Sequence, residues 1–145
     1  MSISKALYTS RTDEWSTPQD VFDELHREFN FTVDVAASKD NAKCKRYFDK
    51  ETNGLVQSWA GETVWCNPPY GRQIGKWMKK ALVESRHPRT TVVMLVHART
   101  DTAWFHDYVY HRAEIRFLRG RLKFGGAQNN APFPSMVVIY RGPET

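Results

Sequence analysis

Cysteine is scarce in this 145-residue chain, and the two that occur, Cys44 and Cys66, have the spacing of neither a disulfide framework nor a zinc knuckle. A reduced, cytoplasmic protein is expected. Long apolar runs are missing too, because Lys, Arg, Asp or Glu interrupts every hydrophobic segment short of the roughly 20 residues that span a bilayer. No membrane partner is expected, and the first residues carry no apolar stretch of the signal-peptide kind. His97, His106 and His111 stand outside any Cys/His ligand motif, so no metal is expected. Internal repeats and low-complexity tracts are absent as well.

What is present is a chain with 41% hydrophobic residues and no separate composition blocks, which fits one compact core. A flexible lead-in is expected over residues 1–14 and a single domain over 15–145, with no room for a second recognition domain. The net charge of +5 and isoelectric point near 9.3 come from Lys and Arg spread along the whole chain. They suggest a polyanionic partner without identifying one.

Periodicity divides the chain into alternating elements. Thr17 as a cap, Pro18 at the first helical position and Asp20 near the positive end predict a helix whose apolar face is Val21, Phe22, Leu25 and Phe29. Phe31 to Val35 alternates as a strand and ends among Asp34 and the small residues Ala36, Ala37 and Ser38. A second short strand is expected at Arg46 to Phe48, ending at Asp49. Glu62 to Cys66 is a further strand, and Ile74, Trp77, Met78, Ala81 and Leu82 fall at helical spacing with Lys76, Lys79 and Lys80 turned largely away. Thr91 to Val96 has the continuous β-branched character of a strand buried on both faces. A helix from about Asp101 to His111 follows, and Glu114 to Leu118 and Ser135 to Tyr140 predict a closing antiparallel pair. The sum is an α/β fold, a mostly parallel, doubly wound sheet with an antiparallel C-terminal edge.

The strongest chemical signal is Asn67-Pro68-Pro69-Tyr70 at the carboxyl end of a strand. An aromatic amine, such as the exocyclic N6 of adenine, is a poor nucleophile, because its lone pair is delocalised into the ring. Two acceptors aimed at its two hydrogens would localise that pair. The Asn67 side-chain oxygen and the Pro68 carbonyl can be those acceptors, since a stiff Pro-Pro segment has few ladder bonds competing for its carbonyls. Tyr70 could stack on the base. With a methyl sulfonium in line behind the nitrogen, positioning and preorganised dipoles supply the catalysis without a covalent nucleophile. A plain strand-terminating turn is the competing reading of the bare tetrapeptide. Cys66 is expected to pack in the strand, and Trp77 and Trp104 in the core.

Ordered blocks accompany this corner: Trp15-Ser16-Thr17-Pro18, Asp34-Val35-Ala36-Ala37-Ser38, Asn53-Gly54-Leu55 with Trp59, and Asn67-Pro68-Pro69-Tyr70-Gly71. Thr100-Asp101-Thr102 with Trp104-Phe105-His106, and Gly120-Arg121-Leu122 with Phe124, complete the set. In these blocks the chain resembles the phage-type DNA N-6-adenine methyltransferase family, related to the Dam methylases, over nearly everything from Trp15 to Tyr140. The resemblance implies a Rossmann-like methyltransferase that uses S-adenosylmethionine to methylate adenine in DNA, acting in the host cytoplasm if phage-encoded. It implies catalysis at Asn67, Pro68, Pro69 and Tyr70. It also implies that Trp15, Ser16, Thr17 and Pro18 cradle the cofactor together with Asp34, Ala36, Ala37 and Ser38, with Asp34 near the methionine amino group. The first strand departs from the Gly-x-Gly run of many methyltransferases, having Ala36-Ala37 in its place. For the ribose hydroxyls, an acid after the second strand is expected, and Asp49 is the candidate.

Nucleic-acid contacts are expected in the basic C-terminal segment, at Arg121 and Lys123 first and at Arg119 beside them, since Arg can fork onto phosphate or base edges. Recognition must then come from short loops, so site preference is expected to be modest or shared with a second subunit of a homodimer. Two alternatives stay open at this point. One is the same chemistry on adenine in RNA or on a protein glutamine amide, and the other is a non-catalytic basic module that coats nucleic acid.

Overall fold

The computed structural model describes residues 16–124 and 130–145. Its order is α1 (Gln19–Phe29), β1 (Val33–Asp34), a 3-10 turn (Gly54–Val56), β2 (Thr63–Cys66), α2 (Ile74–Glu84), β3 (Thr91–His97), α3 (Ala103–Tyr108), β4 (Glu114–Phe117) and β5 (Ser135–Arg141). The strands form one mixed sheet in the order β1-β2-β3-β5-β4. β1, β2 and β3 are parallel, with Val33 opposite Val64 and Trp65 opposite Val93, while β5 runs antiparallel to both β3 and β4. The expected closing pair is therefore present, although the strand order inserts β5 between β3 and β4. Among the described residues no helix is long and apolar enough to cross a membrane.

The sheet is covered on both sides. Phe22 of α1 meets Trp65 edge-on at 5.3 Å between ring centroids, which puts α1 against the face that carries Trp65 and Val93. Tyr140 lies on the opposite face, where its hydroxyl donates to the Tyr108 carbonyl at 2.6 Å; α3 therefore covers that face, with α2 packed beside it. Between these layers Val92 to Val96 and Met136 to Tyr140 are fully buried. Each such aliphatic side chain contributes about 1.5–3 kcal/mol relative to exposure, so the β3–β5 pair is the centre of the core. Cys66, Trp77 and Trp104 are buried as expected.

Three local readings are corrected. Thr17 does not cap α1: Pro18 occupies the cap position at φ −57° and ψ 134°, no side chain caps the helix, and the Pro18 carbonyl accepts the first helical bond from Phe22 at 3.2 Å. The strand at Arg46 to Phe48 shrinks to one bridge between Tyr47 and Asp34. Asp34 N donates to Arg46 O at 3.1 Å, Phe48 N to Asp34 O at 2.9 Å and Ala37 N to Phe48 O at 3.0 Å, but β1 itself is only two residues long and no regular ladder forms. The helix expected to reach His111 ends at Tyr108, and His111 takes a left-handed φ of 61° that a continuing helix does not allow.

The Asn53-Gly54-Leu55 turn braces the end of β1. Asn53 accepts from the Leu55 N–H at 3.1 Å, and the Trp59 indole donates to the Gly54 carbonyl at 2.9 Å. A Cβ on Gly54 would intrude on the Val35 carbonyl oxygen, deep inside van der Waals contact, and would lie 3.3 Å from the Trp77 ring. Gly54→Ala is expected to lower unfolding free energy by about 1–3 kcal/mol, the usual range for overpacking, as read from urea midpoints. A midpoint equal to wild type would show that this turn can back away from β1.

Candidate active site

Because β1, β2 and β3 are parallel, their carboxyl ends lie along one edge of the sheet. The segments after Val35, Cys66 and His97 leave the sheet there, in the place where open α/β sheets hold ligands. At the centre, β2 ends at Cys66 and runs into Asn67-Pro68-Pro69-Tyr70. Two prolines without N–H groups end ladder pairing, and Gly71, at φ 125°, turns the chain into α2.

Asn67 is half-buried, and its Nδ2 donates to the Thr17 hydroxyl at 3.0 Å. That bond marks Oδ1 as the acceptor end of the amide. Thr17, expected as a helix cap, is thus a partner of the corner from fifty positions away. Pro68 is buried, and among the described residues nothing donates to its carbonyl. Tyr70 is buried as well. Its hydroxyl donates to the Leu95 carbonyl at 3.0 Å, and its ring meets His97 at 4.8 Å and Phe133 at 5.6 Å, both near-perpendicular. Burial raises the Tyr70 phenol far above its ordinary range, so it serves as an anchor and not as an acid.

The corner separates two clefts of about 720 Å³ each. The first gathers Ser16, Thr17, Asp34, Ala36, Ala37 and Ser38 with Asp49, Asn67, Pro68 and Pro69. Sequence reading had picked all of these residues for the cofactor or the chemistry. Pro18 is half-buried at the start of α1 and is not among the lining residues, and Trp15 lies outside the described residues. Trp77, Leu55 and Phe48 also line this cleft and were not foreseen, because their apolar character marks them only as core. Three carboxylates, Asp34, Asp49 and Glu51, face three lysines, Lys39, Lys43 and Lys50, so the cleft is close to electrically balanced.

Asp34 is 3% exposed, and each of its oxygens accepts a backbone N–H, Oδ1 from Ala36 at 3.3 Å and Oδ2 from Lys43 at 3.0 Å. Burial outweighs these bonds and pushes its carboxyl up to about 6. Asp49 is the reverse case: Oδ1 accepts from the Thr52 N–H and hydroxyl, both at 2.9 Å, and its pKa is lowered by those bonds. Arg119, Arg121 and Lys123, expected to bind nucleic acid, are exposed and line neither cleft.

The second cleft begins where the corner ends, at Tyr70 and Gly71, and has Trp104, Phe133 and His97 among its lining. Burial, with Arg99 adding a smaller push, lowers the His97 imidazole to about 4, so it is neutral at pH 7. Its aromatic walls suit a flat ring, and the corner contributes Tyr70 to this cleft and Asn67, Pro68 and Pro69 to the first.

A corner at the carboxyl edge of parallel strands, with a cleft on either side of it, is the arrangement of a ligand-binding α/β protein. The comparisons with known proteins fix its kind. Residues 4–143 match the DNA N-6-adenine-methyltransferase (Dam) family, and the chain belongs to that family, whose reaction is methylation of adenine N6 in DNA. It is similar to the DNA N-6-adenine-methyltransferase of Haemophilus phage HP1, 32% identical over 90% of this chain and 80% of the relative. It is also similar to that of Escherichia phage T1, 36% identical over 76% of this chain, and it spans about half the length of that relative, 46%.

Asp34 makes a stability prediction. Its folded pKa, about 6, lies above the ordinary 3.8, so folding takes up a proton between those values. Stability therefore falls as pH rises through this window, and the cost is complete above pH 6. Asp34→Asn is expected to gain about 1 kcal/mol on wild type between pH 5 and pH 7.5, measured by urea melts. An unchanged difference between the two proteins would mean that Asp34 titrates as an ordinary carboxylate.

Proposed function

We propose that this chain transfers a methyl group from S-adenosylmethionine to the N6 amine of adenine in DNA, with residues 15–145 acting as a single Rossmann-like, doubly wound domain in the cytoplasm. The observation that carries this reading is that the Asn67-Pro68 acceptor pair lines the charge-balanced cleft, while Tyr70 of the same corner lines the aromatic one. When bound, S-adenosylmethionine supplies an electrophilic methyl group on a sulfonium.

The first cleft fits that cofactor. Its volume is in the range of small-molecule sites, its lysines can meet the cofactor's carboxylate and its carboxylates the cationic groups, and Asp34 is a desolvated carboxylate that an ammonium group would compensate. In this reading Asp34 holds the amino group of the cofactor, the small side chains of Ala36 and Ala37 let the backbone come close, and Ser16, Thr17 and Ser38 line the way in. Asp49 keeps a carboxylate for the ribose hydroxyls. Asn67 Oδ1 and the Pro68 carbonyl accept the two amine hydrogens and localise the nitrogen lone pair, while Pro69 stiffens the turn. Tyr70, tied to Leu95, fixes the height of the corner and presents a wall to the base. Such preorganised acceptors cost no rearrangement when charge develops. The proton released by the methylated amine passes to water.

The test is transfer from labelled S-adenosylmethionine to separate DNA, RNA and protein pools, followed by nucleoside analysis. Label is expected in N6-methyladenine of DNA alone. Asn67→Ala is expected to lower kcat by roughly 10²–10³-fold, the size of a lost oxyanion-type partner. Label in RNA or glutamine would transfer the reading to another planar amine. For Asp34→Asn, cofactor affinity is expected to fall about 10–100-fold, the value of a charge-assisted hydrogen bond. Because Asp34 must be ionised to hold an ammonium group, wild-type affinity should also weaken as pH drops below about 6, by isothermal titration. Affinity that is flat from pH 5 to 8 would remove Asp34 from that role.

A further inference from the structure

The second cleft carries a charge pattern that the methyl-transfer chemistry does not use. Arg72, Lys76 and Lys79 line one wall, Arg99 enters from the segment after β3, and Asp107 is the single carboxylate among the described lining residues. Positions 72, 76 and 79 are spaced i, i+4 and i+7, so they share one face of α2 and the turn before it. They climb it at intervals of about one helical turn, roughly 5 Å. All four cations are exposed.

Four cations elsewhere in the protein sit against carboxylates. Lys80 sits 3.7 Å from Glu84 and over the Trp59 ring. Arg116 forks onto Glu28 at 2.7 and 2.8 Å and also reaches Glu114, Arg141 pairs with Glu114, and Arg46 pairs with Glu62. Among the described residues, Arg72, Lys76, Lys79 and Arg99 have no ion pair and no side-chain hydrogen bond. The positive end of α2 opens on the same cleft, since Gly71 and Ile74 line it too. The floor is aromatic, with Tyr70, Trp104 and Phe133 beside the neutral His97.

We propose that this cleft is the track of the DNA strand that delivers the adenine, with Arg72, Lys76 and Lys79 on one wall and Arg99 on the other holding its backbone phosphates. The proposal rests on the methyltransferase reading above and goes beyond it. It assigns the electrostatic footprint to α2 and the end of β3, where sequence reading had placed it on Arg119, Arg121 and Lys123. A cationic rim over an aromatic floor is the chemistry that holds an unstacked strand, since phosphates pair with the rim and bases lie on the rings. The cleft meets the corner at Tyr70, so a strand on this track ends up against the same corner whose Asn67 and Pro68 line the other cleft.

The test compares the wild-type chain, an R72A/K76A/K79A variant, an R99A variant, and an R86A/R89A control that removes exposed cations outside the cleft. Binding of a fluorescein-labelled adenine-containing oligonucleotide, duplex and single-stranded, is followed by anisotropy across a salt series. For the triple variant the slope of log K against log salt should shrink by about 2–3 on either substrate, with affinity at 150 mM salt down at least tenfold. For R99A it should shrink by about 1, and the control should keep the wild-type slope. Melting temperatures confirm folding, since exposed substitutions move stability by only about 0.5 kcal/mol.

Wild-type slopes in the triple variant, or an equal loss in the control, would overturn the track whether or not wild type methylates DNA. If wild type transfers no methyl group but the slopes change as stated, the reading of catalysis fails and the track stands. A slope change seen only in an R121A/K123A variant would move the footprint back to the C-terminal segment.

Discussion

β2 ends at Cys66 and cannot be carried beyond Asn67, because positions 68 and 69 are prolines that offer the ladder no donor. Everything about the site depends on that enforced exit. The chain leaves the sheet at its ligand-binding edge with a stiff backbone and the Pro68 carbonyl unused among the described residues. The corner is then pinned at both ends. Thr17 takes the Asn67 amide hydrogen on one side, and Leu95 takes the Tyr70 hydroxyl on the other. Both anchors come from other elements, so the geometry of the acceptor pair is set by the packed sheet and α1 together.

The same corner divides two electrostatic environments. On one side carboxylates and lysines balance, and a single desolvated carboxylate, Asp34, is held ionised at neutral pH against its burial. On the other side cations outnumber carboxylates four to one over aromatic rings. A small molecule that carries both signs of charge suits the first and a polyanion suits the second. The burial of Asp34 costs stability above pH 6, which is the expected price of keeping a charge ready for a ligand that completes it.

How much of this was legible in sequence depended on the range of the interactions. Asn67 to Tyr70 could be read because its chemistry is local, and Asp34 because it closes an alternating strand beside small residues. Strands β2, β3 and β5 followed from their continuous apolar runs, which no surface segment could sustain. The true partner of Thr17 was hidden, since a Ser-Thr-Pro sequence marks a helix start equally well. Tyr47 beside Asp34 was over-read as a full strand, because β1 is too short to support more than a bridge. The close approach of Gly54 to Val35 was not visible in sequence, where an Asn-Gly pair signals only a turn. Lys76 and Lys79 were noted as the polar side of a helix. Their meeting with Arg99 needs α2 and the end of β3 placed side by side, and no spacing rule along one segment encodes that.

A crystal structure with a non-reactive S-adenosylmethionine analogue and a short adenine-containing strand addresses the acceptor pair directly. The target N6 should lie within hydrogen-bond distance, about 2.7–3.2 Å, of both Asn67 Oδ1 and the Pro68 carbonyl, with the analogue in the Asp34 cleft. An analogue seated in that cleft while the adenine amine rests on other groups, with Asn67 turned away from it, would contradict the account.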